Sequence, residues 1–174
     1  MKAQRFSVDT NILIYSIDTD AGTRHEQAQA VMDRLPDADC VLTLQALAEF
    51  FHAVTRKDKM PVEEAAAMVH DWMALFPVAV ADGRTLAGAV RLKEAESFAF
   101  WDAMLVEAAR TSGVTRLLSE DMQDGRMVGA LRLENPFKAG FNLFPCFAEL
   151  AQACVLPVIF DGHGIFFLFL IRCP

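Results

Sequence analysis

Five short, mostly apolar segments of three residues each, at 6–8, 41–43, 78–80, 116–118 and 131–133, recur along this chain, and helix-length stretches separate most of them. A strand that short has no core of its own. Short strands alternating with amphipathic helices argue for a parallel sheet covered on both faces. The helical stretches are 10–16, 23–35, 44–57, 62–73, 84–96 and 100–111. Thr23 is expected to cap the second and Pro36 to stop it. Leu47, Phe50, Phe51 and Val54 recur at helical spacing in the third. Pro61 opens the fourth, where its missing N–H is no loss, and Gly113 closes the last as a C′ residue. The fold predicted is a three-layer α/β/α sandwich around a parallel sheet of four or five short strands.

Two of these runs lead into acid. Residues 6–8 run straight into Asp9, and 116–118 reach Asp121 through Ser119 and Glu120. In open α/β sheets ligands bind in the crevice at the carboxyl ends of the strands, so Asp9 and Asp121 are expected to share one crevice. Asp102, near the start of helix 100–111, and Glu49, on helix 44–57, stand on helices that can pack against those ends. Two carboxylates about 4 Å apart repel by roughly 4 kcal/mol at an effective dielectric near 20. Such a cluster is tolerable mainly when a hard cation such as Mg²⁺ or Mn²⁺ neutralises it.

Each acid taken alone has a plainer reading. Asp9 can cap the next helix. Glu49 shares a polar face with Gln45, His52 and Arg56, which a solvated surface explains. The pattern Glu49-x-x-His52 is half of a di-iron motif, with no second copy. Asp102 gains about 0.3–1 kcal/mol from the helix dipole. Its neighbours Phe100, Trp101, Met104 and Leu105 nevertheless predict a packed first turn. Asp121 reads as a turn residue and Glu120 as pointing to water. The case rests on the joint positions of the four.

Composition sets the outer bounds. The 174 residues suffice for one domain with a core, and 53% hydrophobic with 22% charged residues is ordinary for a globular protein. A net charge of −7 argues against a protein that coats nucleic acid, but not against a nuclease whose own acids enter that sum. Cys40, Cys146, Cys154 and Cys173 form no CxxC pair, so no zinc or redox motif is signalled. Their scarcity over residues 1–137 suits a reducing cytoplasm. No apolar stretch precedes the first strand, so no signal peptide is expected. After Phe137 the pattern changes: half of the 14 phenylalanines and three of the four cysteines fall there without helical or strand period. The expected division is therefore a folded domain over 1–137 and an atypical apolar tail over 138–174. That tail is either an unordered, read-through or frame-shifted end, or an added helix over 144–154. Its longest apolar run, 165–171, is far short of the roughly 20 residues that span a membrane.

Several segments together resemble a known family. They are Val8-Asp9-Thr10-Asn11-Ile12-Leu13-Ile14-Tyr15, Gln45-Ala46-Leu47-Ala48-Glu49-Phe50, Ser97-Phe98 with Phe100-Trp101-Asp102-Ala103, Leu118-Ser119-Glu120-Asp121-Met122-Gln123-Asp124-Gly125, and Asn135-Pro136-Phe137. In order and spacing, over about residues 4–137, the chain resembles PIN-domain proteins, and among them the VapC-type toxins of toxin–antitoxin pairs. The resemblance implies a metal-dependent endoribonuclease acting on structured or translation-related RNA. It places the acidic quartet on Asp9, Glu49, Asp102 and Asp121, with Asn11 and Ser119 in supporting polar positions. Asp9 and Asp121 would ligate one or two Mg²⁺ or Mn²⁺ ions directly, and Asp102 directly or through water. Glu49 would orient the attacking water or hold a second ion. A VapB-like antitoxin is implied, laying an apolar helix in a groove walled by helices 23–35 and 44–57, and so is a homodimer. Arg56, Lys57 and Lys59 could meet phosphates outside the site. Two other readings stay open. One is a catalytically silent module that binds RNA or protein. The other is a metal-dependent phosphohydrolase using Asp9, although Asn11 stands where such enzymes need a second acid.

Overall fold

The computed structural model describes residues 4–56, 59–96 and 98–143. The elements follow in the order β1 (Arg5–Val8), α1 (Thr10–Ile17), α2 (Thr23–Met32), β2 (Asp39–Cys40), β3 (Leu42–Thr43), α3 (Leu44–Arg56), α4 (Val62–Leu75), β4 (Val78–Ala79), α5 (Gly83–Glu96), α6 (Phe100–Thr111), β5 (Arg116–Leu118), β6 (Met127–Val128) and β7 (Leu131–Glu134). The main sheet has the order β2-β1-β5-β7-β6. Its pairings are parallel, with Phe6 opposite Cys40, Val8 opposite Leu118 and Leu118 opposite Glu134. Only β6 runs antiparallel, against β7. Phe6, Val8, Leu117, Leu118, Leu131 and Leu133 are all buried, as strands covered on both faces require. Helices pack as α1 on α2 and α3, α3 on α4, and α5 on α6. The protein is thus an α/β/α arrangement with a central, mostly parallel sheet.

The local chemistry explains most boundaries. Helix α6 spans the expected residues and ends in a Schellman turn. Gly113 takes φ +80°, its N–H bonds Arg110 O, and the N–H of Val114 bonds Ala109 O. Helix α3 buries Leu47, Phe50 and Val54 on one stripe, and Phe50 meets Trp72 of α4 edge-on at 4.7 Å.

Four expectations are corrected. Helix α2 stops at Met32, not Leu35, and Pro36 sits inside a 3-10 turn over Leu35–Asp37. A proline ring at 36 would collide with the carbonyl four residues back, that of Met32. Thr23 is the first helical residue rather than the cap; Gly22, at φ +60°, takes the cap position with no side-chain bond. The run 41–43 is not one strand. Val41 N–H bonds Phe6 O while Leu42 N–H bonds Pro77 O, so the chain leaves the main sheet there. As a result β3 and β4 form a separate parallel pair, and the run at 78–80 does not join the main sheet. Finally, β6 was not foreseen. It closes a hairpin onto β7 through Gly129 and Ala130, with Gly129 at φ +62°.

The chain divides into one unit over Met1–Phe141, which carries every element above, and a second over Asn142–Pro174. The expected tail lies outside the described residues from position 144 onward. Among the described residues no helix is long and apolar enough to cross a membrane.

Candidate active site

Strands β1 and β5 end side by side, and their ladder extends one step further. Asp9 N–H donates to Leu118 O at 2.8 Å, and Ser119 N–H to Glu134 O at 2.9 Å. This brings Ser119 beside Asp9. Its hydroxyl donates to Asp9 Oδ2 at 2.7 Å, while the Thr10 N–H donates to Asp9 Oδ1 at 2.6 Å. Asp9 is therefore both the cap of α1 and a carboxylate held at both oxygens. One residue on, Thr10 Oγ1 donates to Glu49 Oε2 at 2.9 Å. Gln45, one turn before Glu49 on α3, donates to Glu49 Oε1 at 2.8 Å and to the Trp101 carbonyl at 3.1 Å. Asn11 Nδ2 donates to Asp121 Oδ2 at 3.2 Å.

All six residues singled out from the sequence thus meet in one region. Asp9 feels the charges of Asp121 and Asp102, and Asp102 those of Asp121 and Glu49. Burial pushes the Asp9 carboxyl up to about 6. The Ser119 and Thr10 hydrogen bonds oppose the rise, and the charges of Asp121 and Asp102 add to it. The Asp102 carboxyl is also raised, first by burial and then by Asp121 and Glu49.

Among the described residues these acids form no ion pair. Elsewhere Asp18, Asp39, Asp82, Glu107, Glu120, Asp124 and Glu134 all pair with Lys or Arg. Among the described residues none of Asp9, Glu49, Asp102 and Asp121 does; their partners are the neutral groups of Thr10, Asn11, Gln45 and Ser119. Among the described residues no group of three or more His, Cys, Asp or Glu is placed where it could hold a metal ion. The donor set still fits a hard divalent cation. It is oxygen-only, its acids form no ion pair with Lys or Arg among the described residues, and Asn11 Oδ1 is buried with no hydrogen-bond partner.

Three expectations around the site change. Glu120 does not simply face water; Arg24 Nε donates to its Oε1 at 2.6 Å, and its charge also acts on Tyr15, whose hydroxyl pKa is raised by burial first and by Glu120 next. The first turn of α6 is packed only in part, since Leu105 is buried but Trp101 is 64% exposed. The polar face of α3 splits: Gln45 and Glu49 turn to the site, and His52 and Arg56 are exposed. Of the basic residues, Lys59 pairs with Asp18, and Lys57 lies outside the described residues. Sequence reasoning missed Thr10, Tyr15 and Arg24. Thr10 could have been found as a hydroxyl beside Asp9; Arg24 carries no local signal for a partner 96 residues away.

Comparison with known proteins agrees with this geometry. The PIN-domain family profile matches residues 7–123. No curated protein sequence matches the chain significantly. Among solved structures, Mycobacterium tuberculosis VapC20, a toxin that cleaves the sarcin–ricin loop, is 18% identical. Its TM-score is 0.53, over 64% of this chain and 86% of that one. A toxin–antitoxin complex from Klebsiella pneumoniae is 18% identical, with a TM-score of 0.56 over 78% and 99%. VapBC2 from Rickettsia felis, bound to a DNA fragment from its promoter, is 15% identical, with a TM-score of 0.56 over 76% and 98%. At these identities the likeness is one of fold.

Proposed function

The chain belongs to the PIN-domain family, and on that premise we propose that it is a metal-dependent endoribonuclease, the VapC-type toxin of a toxin–antitoxin pair. One observation carries the reading: four carboxylates lie near the ends of β1 and β5, and among the described residues none of them pairs with Lys or Arg. Asp9, Asp102 and Asp121 are the residues that would hold Mg²⁺ or Mn²⁺. Such an ion, when bound, lowers the pKa of water and offsets charge on the phosphate under attack. Ser119 and Thr10 hold the Asp9 carboxylate in place, and Asn11 does the same for Asp121. Glu49, anchored by Thr10 and Gln45, keeps lone pairs free to accept a hydrogen bond from the attacking water or to share a second ion. In the reaction the water oxygen bonds to phosphorus, and the bond from phosphorus to the departing sugar oxygen breaks.

The partners follow from the same chemistry. The substrate is RNA, and the protein acts in the cytoplasm as a homodimer restrained by a VapB-like antitoxin. A site with four unpaired carboxylates suits a partner that brings a basic side chain, and an apolar helix laid against α2 and α3 would supply the affinity.

The test compares cleavage of an oligoribonucleotide with hydrolysis of a generic phosphomonoester, each with Mg²⁺, with Mn²⁺ and with a chelator. Internal RNA cleavage that needs metal and disappears in Asp9→Asn is expected. Metal-independent cleavage, or a wild-type rate in Asp9→Asn, refutes the site assignment. Preference for the phosphomonoester would make the protein a phosphohydrolase, and RNA binding without turnover would make it a silent module. Co-purification with the product of the neighbouring gene, and inhibition by it, test the toxin assignment.

A further inference from the structure

A cavity of about 260 Å³ opens between α1 and α3. Ile14, Tyr15, Ala53 and Val54 line it, together with the paired Asp18 and Lys59. Asn11, which bonds Asp121, also lines it. We propose that this cavity receives the base of an unpaired nucleotide adjoining the phosphate that is cut. The inference rests on the ribonuclease reading and names the form of substrate it takes.

Continuity with the acids is the first argument. Asn11 belongs to both the site and the cavity, and Ala53 lies one helical turn beyond Glu49 on α3. From Asn11 to Asp18 the groove follows α1 for seven residues, roughly 10 Å at 1.5 Å per residue. A nucleotide whose phosphate lies at the acids therefore has room for its base in this cavity.

Chemistry is the second argument. The walls are apolar and aromatic, which suits the faces of a flat ring, and the polar groups lie at the two ends. At one end the Asp18–Lys59 pair offers an acceptor and a donor to the edge of a base. Size is the third. The volume is at or below the lower limit of small-molecule sites, so a single base enters and a base pair does not. Cleavage is thereby directed to single-stranded loops, where bases can be splayed out and stacked on aromatic rings. Cations flank the groove as well: Lys59, and Arg24, whose guanidinium carbon is 5.8 Å from the Tyr15 ring centroid. Each is paired with an acid, Lys59 with Asp18 and Arg24 with Glu120, so the groove is close to neutral beside the acidic site.

Tyr15 is the chain's single tyrosine, so 3-fluorotyrosine labelling places one ¹⁹F resonance in the cavity. The full-length labelled protein is titrated in chelator with each of the four nucleoside 5′-monophosphates and with ribose 5-phosphate. At least one nucleotide should give a saturable shift that ribose 5-phosphate does not. Ala53→Leu, which fills the cavity, should abolish it. Lys59→Met, an exposed change that keeps the core intact, should weaken it several-fold. No shift, an equal shift with ribose 5-phosphate, or a shift that survives both substitutions overturns the proposal. A resonance that responds only to the antitoxin also overturns it and assigns the groove to that protein. In cleavage assays that vary the unpaired base beside the cut, wild-type protein should discriminate at least fivefold and Ala53→Leu should not. Because the titration needs neither metal nor turnover, absence of cleavage refutes the ribonuclease reading without deciding this one.

Discussion

Replacing Asp9 by Asn should make the metal-free protein more stable, not less. The Asp9 carboxyl is pushed from 3.8 to about 6 because burial, with Asp121 and Asp102 nearby, opposes its charge more than Ser119 and Thr10 favour it. Roughly 2 pKa units correspond to about 3 kcal/mol between its two forms. The folded value is raised above the unfolded one, so this group's contribution is fully present below about pH 3.8. It is lost as pH rises through about 6. At pH 8 the charged form therefore lowers stability by up to about 3 kcal/mol, less whatever relaxation recovers. Asn resembles the neutral acid. Its Oδ1 still accepts from Thr10 N–H, and its amide can donate to Ser119 Oγ. Urea unfolding of metal-free protein should show Asp9→Asn more stable by about 1–3 kcal/mol at pH 8 and level with wild type near pH 4. At this chain length each kcal/mol corresponds to about 2–4 °C in Tm. Added Mg²⁺ should stabilise the wild type and not the variant. If Asp9→Asn is less stable at pH 8, or the difference does not shrink on acidification, the electrostatic account of the site is wrong.

Ser119→Ala should weaken metal affinity about 10- to 100-fold by freeing Asp9 Oδ2, and calorimetric Mn²⁺ titration checks this. Gly88→Ala should destabilise by about 1–3 kcal/mol, because its methyl would overlap the buried Glu107 side chain paired with Arg110. Unfolding curves that match the wild type would refute that packing. We further propose that the nuclease domain is complete without the apolar tail. A chain ending at Lys138 should then be at least as soluble as the full chain and keep its cleavage activity. Unfolding or loss of activity at equal metal occupancy would make the tail structural.

Much of this protein is written locally. The period of Leu47, Phe50 and Val54 determines α3, Gly113 determines where α6 ends, and strands too short to stand alone determine a sheet covered on both faces. These features depend on neighbours within a turn or two, so composition and spacing suffice to read them. That Asp9 and Asp121 follow mostly apolar strands is equally local, and it is why those two candidate residues were legible; Glu49, Asn11 and Ser119 came from the resemblance to PIN domains. What the tertiary structure alone decided is who meets whom. Val41 looks like the middle of a strand, yet one hydrogen bond goes to Phe6 and the next to Pro77, so it marks a change of sheet. Glu120 looks solvated until α2 brings Arg24 to it across 96 residues. Glu49 looks like part of a wet helix face until Thr10 and Gln45 turn it to the acids. The cavity between α1 and α3 exists in neither helix alone. Such partnerships are set by strand register and helix packing over separations that no local pattern records, because a side chain's partner depends on the path of the whole chain.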